Sequence, residues 1–388
     1  MKKGLIALAL GTLGLGMSEF VMMGILPDVA RDLDISIPVA GHFISAYAIG
    51  VCVGAPLLVL AARKRPLKQI LLVLVAIFAL GNLLSCMAPN YHTLLATRFI
   101  SGLPHGAYFG VGSIVASKMA AEGKSSAAVA MMIAGMTVAN LAGVPLGTYI
   151  SQTISWRTTF LLIGCLDALI LYFVWRWVPH FDPLPDTGFK GQFRFLRSAA
   201  PWLLILATML GNGGLFCWYS YISPLMTSVS GFAPDKMTDI MVLAGMGMCI
   251  GNILSGRLSD IYSPARVATT VQLLMGFSLL LIFLLAQHAV LSVILMTICT
   301  AGLFALSAPQ QILLLRNSKG GEMLGAASVQ VAFNLGNALG AYSGGLPIEA
   351  GLGYRYPALV GVGFCFIGFL MLLIYWKRYD KKVRPLKI

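Results

Sequence analysis

Apolar stretches of about twenty residues recur along the whole chain and are separated by short polar segments. An α-helix of that length is needed to cross a hydrocarbon core about 30 Å thick. Inside such a core the backbone polar groups must bond within the protein, which favours helices. The pattern therefore predicts an all-α membrane protein with twelve transmembrane helices, over residues 4–26, 38–61, 67–88, 93–118, 125–150, 156–178, 201–227, 237–258, 266–286, 289–315, 323–348 and 355–376.

Composition supports this class. Of the 388 residues, 58% are hydrophobic and 11% are charged, whereas soluble domains carry about 25% charged residues. The first apolar stretch follows Lys2 and Lys3 as a secretory signal would, but it continues for about 23 residues, which favours a retained helix. The seven cysteines fall inside predicted helices without paired spacing, so we predict neither disulfides nor a metal site.

Lysine and arginine are unevenly distributed between alternate loops. If both termini are cytoplasmic, all but five of the 27 lysines and arginines lie in inside segments, as cytoplasmic loops of membrane proteins require. We therefore predict a multi-pass protein of the inner (cytoplasmic) membrane with both termini cytoplasmic. Membrane topology then explains the net charge of +13, and we predict no nucleic-acid partner. The basic tail from Lys377 is predicted to contact membrane lipid.

The longest predicted loop, residues 179–200, divides the chain in two. A shift of 197 residues aligns several glycines and asparagines of the two halves. These include Gly50 with Gly247, Gly54 with Gly251, Asn140 with Asn337, and Gly143 with Gly340. Two six-helix repeats are a layout of transporters that move one half against the other around a central site. We predict an N-terminal six-helix bundle over 1–178, a cytoplasmic linker over 179–200, and a C-terminal six-helix bundle with a short basic tail over 201–388.

Three ionisable residues lie inside predicted helices of the first half: Glu19, Arg98 and His105. Arg98 and His105 are seven residues apart, so they share one helix face about 10 Å apart. An arginine at mid-bilayer costs about 2.5–3.5 kcal/mol, so that face is expected to be polar or hydrated. Glu19, a carboxyl near a guanidinium that never deprotonates, can load and unload a proton as its hydration alternates.

Each of the three also has a plainer interpretation. Arg98 can snorkel to the membrane surface, His105 can be a histidine bonded to a neighbouring helix, and Glu19 can belong to a structural ion pair. The 197-residue shift favours function, since the second half has Phe216 opposite Glu19 and Leu295 opposite Arg98. If shared scaffolding explained these charges, both halves should carry them.

Several motifs resemble those of the major facilitator superfamily, over essentially the whole chain. "RFISGLPHG" contains Arg98, Gly102 and Gly106 and is similar to the superfamily's fourth-helix pattern. Together with the "EF" at Glu19 and the "GVPLG" ending at Gly147, it most resembles the drug:proton antiporters, in the arabinose-inducible sugar and drug efflux branch. The resemblance implies the major facilitator fold, with two six-helix pseudo-repeats, and export of small molecules coupled to proton entry.

The predicted fifth helix resembles the motif that exporters of the superfamily carry, in Gly135, Gly143, Pro145 and Gly147. The resemblance implies antiport. Small residues let helices approach closely and proline bends a helix, so that one end can seal. Ordinary helix packing is the alternative explanation of the glycines.

The superfamily's cytoplasmic gating loop also has counterparts in this chain. The second copy, in "GRLSDIYSPAR", contains Gly256, Arg257, Asp260 and Arg266, where acid and bases are expected to form ion pairs that hold the cytoplasmic side shut. The first copy keeps its basic residues but has Ala61 and Ala62 where an aspartate is expected. It therefore predicts either a weaker gate or basic residues that only set the orientation of this loop in the membrane. Its bases are Arg63, Lys64, Arg65 and Lys68.

Polar and aromatic residues that could line a substrate cavity occur in the predicted fifth, seventh and eleventh helices, with packing as the alternative. They are Asn140, Asn212, Trp218, Tyr219, Asn334 and Asn337. Asp167, in the sixth helix, is either a second proton site or, as the sequence favours, a neutral hydrogen-bonded acid.

We find no hydrolase, metalloprotease or phosphate-binding motif, so we predict no enzyme and no cofactor beyond a proton gradient. The predicted protein is a monomer that exports a small-molecule substrate in exchange for protons. The alternatives are a sugar or metabolite facilitator without proton coupling and a membrane sensor that does not transport.

Overall fold

The computed structural model describes residues 2–35, 37–233 and 236–380, in which regular structure is entirely helical. Twelve long helices, α1 to α12, follow one another along these residues. They span Lys2–Asp32, His42–Ala62, Leu67–Cys86, Tyr91–Met119, Ser125–Thr153, Trp156–Trp177, Ala199–Tyr219, Met237–Ile261, Pro264–Leu285, Ala289–Arg316, Glu322–Glu349 and Tyr356–Arg378. Most of the predicted basic tail lies beyond residue 380, outside the described residues.

Ten of these helices are long and apolar enough to cross a membrane by length and composition alone, the other two described ones being α4 and α11. Those two are 29 and 28 residues long and carry polar residues such as Arg98, His105 and Asn334. Polar side chains in a membrane helix are tolerated where they face other helices, and these three are buried. The predicted twelve-helix, multi-pass architecture is confirmed.

Local sequence signals start several helices. Asn90 accepts a hydrogen bond from the Thr93 N–H at the start of α4, and Ser155 accepts one from the Arg157 N–H at the start of α6. Such side chains satisfy the first N–H groups of a helix, which have no partner inside it. The predicted seventh helix, 201–227, is interrupted: α7 ends at Tyr219, and helical turns resume at Ile222–Pro224 and Leu225–Val229.

Helix α5 is interrupted in its middle. Residues Ala139–Gly143 form a π turn, in which the Val144 N–H reaches back to the Ala139 carbonyl. Pro145 follows directly, and its missing N–H and its ring disfavour regular α-helical bonding in the preceding turn. The sequence motif predicted at this place therefore coincides with an irregular helix.

Helices α1 and α5 lie in very close contact. A Cβ added to Gly135 would stand 1.7 Å from the Ala9 carbonyl oxygen, and one added to Gly147 would stand 2.5 Å from Val21 Cγ2. At Gly135 only glycine permits such an approach of two backbones. The contact fixes the position of α1, and with it that of Glu19, within the bundle.

The described chain separates into two compact units, which interleave in the sequence. The first comprises Met1–Ala121, Met131–Phe195 and Ser318–Val331, and the second comprises Glu122–Ala130, Leu196–Asn317 and Ala332–Ile388. The first unit thus takes the beginning of α11 from the second half of the chain, and the second takes the beginning of α5 from the first half. The domain boundaries proposed from the sequence, 1–178 and 201–388, remain predictions.

Candidate functional site

The three ionisable residues predicted in the first half are all buried in the first unit. Glu19 on α1 is 7% exposed, and Arg98 and His105 on α4 are 0% exposed. Helix α4 approaches α2 closely, since a Cβ on Gly102 would stand 2.2 Å from the Tyr47 carbonyl oxygen. This approach places Tyr47 beside both α4 residues.

His105 lies between Tyr47 and Glu19. Its Nδ1 is 2.9 Å from the Tyr47 hydroxyl, and its ring stacks on Phe109 with the centroids 5.2 Å apart. Its Nε2 is 3.9 Å from Glu19 Oε2, and neither atom meets a partner at hydrogen-bonding geometry among the described residues. The Gln330 side chain also contacts the imidazole. The gap to Glu19 exceeds hydrogen-bond distance, so a proton can pass when the side chains approach or when a water bridges them.

Arg98 is bound to the backbone and side chain of one residue. Its Nη1 donates to Ser18 Oγ at 3.1 Å and its Nη2 donates to the Ser18 carbonyl oxygen at 3.0 Å. The guanidinium carbon also lies 4.6 Å from the centroid of the Tyr47 ring, within cation–π range. The side chain is therefore buried in the unit, with its guanidinium between α1 and α2.

Sequence reasoning missed the neutral members of this cluster. Ser18 Oγ donates to Asn82 Oδ1 at 2.7 Å, and Asn82 Nδ2 donates to Asp167 Oδ2 at 2.8 Å. Asn82 on α3 and Asp167 on α6 are both buried. The available signal was an amide inside the apolar run "FALGNLLS". Since serine and asparagine are frequent in membrane helices, it did not stand out there.

The residues predicted to line a cavity are divided between the units. Asn140 is in the first, half-buried, and its amide donates to the Met136 carbonyl of its own helix. The other five are in the second unit. There Asn334 is buried, while Tyr219 and Asn337 are half-buried.

Asn212 in the second unit forms a pair that the sequence did not predict. Its Nδ2 donates to Gln310 Oε1 at 3.3 Å, and both residues are buried. Within the part of the chain that the structure describes, three buried atoms here have no hydrogen-bond partner: Asn212 Oδ1, Gln310 Nε2 and Trp218 Nε1. Buried polar atoms are nearly always paired, so these three are candidates for contact with a substrate or with water.

In the second copy of the loop motif, Asp260 makes different bonds from those expected. Its two carboxylate oxygens accept hydrogen bonds from the backbone N–H groups of Ser126 and Ala127, each at 3.0 Å. Arg257 and Arg266 are exposed and form no ion pair with it among the described contacts, which corrects the expectation. The carboxylate instead satisfies free N–H groups at the positive end of α5.

Two contacts reinforce the position of α8 against the beginning of α5, both within the second unit. A Cβ on Gly256 would stand 2.4 Å from Ala130 Cβ, and Asn252 donates to the Ala130 carbonyl at 2.9 Å. Gly256 therefore allows the close approach of α8 that brings Asp260 to the first residues of α5.

In the first copy, the linker supplies the acid that the loop lacks. Asp186 Oδ1 accepts from Arg63 Nε at 3.1 Å, and Asp186 Oδ2 lies 3.7 Å from Lys64 Nζ. The Gly188 N–H and these two cations hold the pKa of Asp186 below its usual range. Of the other predicted bases, Arg65 is exposed and Lys68 is half-buried.

The chain is similar to known membrane proteins over nearly its whole length. The family described as Major Facilitator Superfamily matches residues 8–329 and 230–388. AraJ of Escherichia coli strain K12, which bears the name of a transporter, is 52% identical over 382 residues, 98% of this chain and 97% of that one. YdhP of the same strain, named an inner membrane transport protein, is 40% identical, covering 96% of this chain and 95% of that one.

Other similar proteins carry names that mention sugars. A protein of Helicobacter pylori strain 26695, named as a sugar efflux transporter, is 29% identical, covering 93% of this chain and 91% of that one. Among solved structures, the E. coli fucose:proton symporter FucP superposes with a TM-score of 0.78 at 15% identity, covering 96% of this chain and 98% of that one. The proton:xylose symporter XylE gives a TM-score of 0.75 at 15% identity, covering 97% and 95%. At this identity the two structures establish the fold.

Proposed function

The chain belongs to the Major Facilitator Superfamily of membrane transporters, and from this premise we propose that it exports small molecules in exchange for protons by alternating access. In this proposal it acts as a monomer in the inner membrane, with both termini cytoplasmic. The bundles over 1–178 and 201–388 move against each other, the first handling the proton and the second contributing the substrate-binding amides.

One observation carries the proposal: Glu19 and His105 face each other at 3.9 Å in a buried site, each with an unpartnered atom, beside the fixed cation Arg98. A carboxyl that lacks a permanent partner can change its protonation state at little structural cost. In the cycle, Glu19 takes a proton from outside as substrate leaves, and it loses that proton inward beside Arg98. In this proposal, substrate and proton compete for the same conformers of the protein.

The motif residues supply the moving parts of this proposal. The α1–α5 contact at Gly135, Gly143 and Gly147, next to the π turn and Pro145, lets α5 change shape against the helix that carries Glu19. The bonds of Asp260 to the start of α5, and of Asp186 to Arg63, are proposed as contacts that form on the cytoplasmic side and break in transport. The names of relatives make sugars the first substrate class to test.

The test is transport by the purified protein in liposomes with an imposed pH gradient. The probes are labelled L-arabinose and tetraphenylphosphonium, supplemented by any compound that raises the melting temperature of the protein at two pH values. We expect gradient-driven accumulation of at least one probe by the wild type and none by Glu19→Gln. Glu349→Gln, the same change at an exposed position on α11, should transport normally.

Each competing function predicts a different result. Flux that is equal with and without the gradient indicates a facilitator without proton coupling. Absence of flux, although a ligand stabilises the protein, indicates a sensor. Unchanged gradient-driven flux in Glu19→Gln removes Glu19 from the mechanism.

A further inference from the structure

A continuous chain of hydrogen bonds joins Arg98 to Asp167 across four helices of the first unit. Arg98 on α4 donates to Ser18 Oγ on α1 at 3.1 Å. Ser18 Oγ donates to Asn82 Oδ1 on α3 at 2.7 Å, and Asn82 Nδ2 donates to Asp167 Oδ2 on α6 at 2.8 Å. Arg98 and Asp167 are thus connected through two neutral side chains and make no direct ion pair.

The chemistry of its first member fixes the direction of this chain. A guanidinium only donates hydrogen bonds, so Ser18 Oγ accepts from Arg98. The Ser18 hydroxyl then donates its own hydrogen to Asn82 Oδ1. Asn82 must then present its NH₂ group to Asp167, which ends the chain as an acceptor. Hydrogen bonds that all donate in the same direction polarise one another. This polarisation favours an ionised carboxylate as the last acceptor, at Asp167.

The two buried acids near Arg98 differ in their surroundings. Asp167 Oδ2 is bonded to Asn82, and a Cβ on Gly14 of α1 would stand 2.4 Å from Asp167 Oδ1, so that the carboxyl is held tightly between helices. Glu19 Oε2 has no hydrogen-bond partner in the described ranges and faces His105 across 3.9 Å. A buried cation requires a compensating anion, and the bonded acid is better placed to be a permanent one.

The other titratable groups around this network are few. Tyr47 of α2 and His105 and Tyr108 of α4 face it, and all three are buried. Tyr108 and Asp167 both line a small cavity with about 10 Å³ of free space, about the room that one water needs. A water there would give the carboxylate a further hydrogen bond.

We propose that Asp167 is a positioning residue of the proton site: as a carboxylate at the end of the Ser18–Asn82 chain, it balances the charge of Arg98 and fixes its position. Glu19 is thereby left free to exchange its proton with His105 and the substrate pathway. The proposal rests on the proposed function for its role in transport. The ionised state of Asp167 can be measured without transport.

Infrared titration of the purified protein tests the ionisation directly, because a protonated carboxyl absorbs apart from a carboxylate. We expect the protonated-carboxyl band that titrates over the working pH range to disappear in Glu19→Gln and to persist in Asp167→Asn. If Asp167→Asn instead removes a protonated-carboxyl band present at neutral pH, Asp167 is a neutral structural acid and the proposal is wrong. This result holds whether or not the protein proves to be a proton-coupled exporter.

The pH profile of exchange tests the positioning role. In Asp167→Asn, Glu19 becomes the remaining buried counter-charge of Arg98, so we expect the pH midpoint of exchange to fall by about one unit. Asn82→Ala keeps both charges but breaks the chain, and it should shift the midpoint in the same direction by less. Asn82→Ala also tests the positioning role if Asp167→Asn does not fold.

Ser85→Ala is the matched control on α3. Ser85 is also buried, but it bonds to the Gly81 carbonyl and to Thr97, outside the chain. Its profile should equal that of the wild type. Identical midpoints in Asn82→Ala, Asp167→Asn and the wild type would overturn the positioning role, whereas a wild type without pH-driven exchange would overturn the proposed function alone.

Discussion

At the scale of single residues, the position of Arg98 is decided by its geometry as well as its charge. Two of its nitrogens bind the hydroxyl and the carbonyl of Ser18, so the guanidinium is held in one orientation on α1. A planar fork with several donors can make both bonds, whereas a lysine ammonium is a compact point charge on a flexible stem. The two cations are therefore not equivalent here.

We expect Arg98→Lys to keep part of the exchange activity and Arg98→Ala to lose it. Lysine retains the positive charge but loses at least one of the two hydrogen bonds that the guanidinium donates to Ser18. Hydrogen bonds to charged groups contribute about 1.5–3 kcal/mol, which corresponds to a transport rate lower by a factor of about 10 to 150. The measurement is the initial rate of pH-driven exchange, normalised to folded protein by size-exclusion chromatography. Equal, mild effects of both changes would show that Arg98 is not needed for coupling.

The charged members of the site could be predicted from the sequence, and the neutral ones could not. Glu19, Arg98 and His105 stand out because ionisable side chains are costly in an apolar run. Ser18, Tyr47 and Asn82 carry no such cost. Their roles depend on which helices are neighbours, and one sequence does not contain that information. The same holds for Asp186, which reaches the Arg63 loop only because the linker folds back on it.

At the scale of elements, the contact between α1 and α5 determines how the first unit is built. The sequence indicated close helix packing at Gly135, Gly143 and Gly147, and in the structure a Cβ added to Gly135 would stand 1.7 Å from the Ala9 carbonyl oxygen. The π turn Ala139–Gly143 was not predicted. Pro145 signalled an irregularity at this place but did not specify its form.

We expect Gly135→Ala to lower stability, because a methyl group there can be accommodated only if α1 and α5 separate. Overpacking of this kind costs about 1–3 kcal/mol. The measurement is the melting temperature of the purified protein in detergent. Gly363→Ala in α12 is the control, since a Cβ there meets nothing within 4 Å and alanine is favoured over glycine in a helix. Equal melting temperatures for the two variants would contradict a tight α1–α5 contact.

The start of α5 allows a second prediction about an element. Removing the Asp260 carboxylate leaves the Ser126 and Ala127 N–H groups without their partner, at a cost of about 0.5–2 kcal/mol, as for other helix caps. In Asp260→Ala we expect hydrogen exchange of peptides covering these amides to quicken by about two- to thirtyfold. Asp239→Ala, at the other end of α8, removes an acid that pairs with Lys236 and should leave this exchange unchanged. Unaltered exchange in Asp260→Ala would show that the cap does not hold this end of the helix.

At the scale of the whole molecule, the chain crosses between its two compact units at Phe195–Leu196 and around the beginnings of two helices, α5 and α11. The proposed movement of one half of the molecule against the other would therefore reorganise these two helix starts. Asp260 binds one of them, and Thr187 of the linker donates to the Gly320 carbonyl just before the other. The twelve-helix architecture followed from hydropathy alone. This interleaving did not, because it depends on contacts between distant segments.

The proposed exchange also has a consequence for the whole transport cycle. If one proton enters for each neutral molecule that leaves, each cycle moves one net charge, and a potential of 100 mV supplies about 2.3 kcal/mol. In everted vesicles clamped at that potential, lumen positive and without a pH gradient, we expect about fiftyfold accumulation of a neutral sugar substrate. A monovalent cation exchanged for one proton moves no net charge, so its accumulation should not respond to the potential.

Glu19→Gln should abolish the response to the potential, because the charge is carried through that carboxyl. Potential-insensitive transport of the neutral probe, with an intact response to a pH gradient, would contradict a one-to-one exchange, since it would require a second charge to move with each proton.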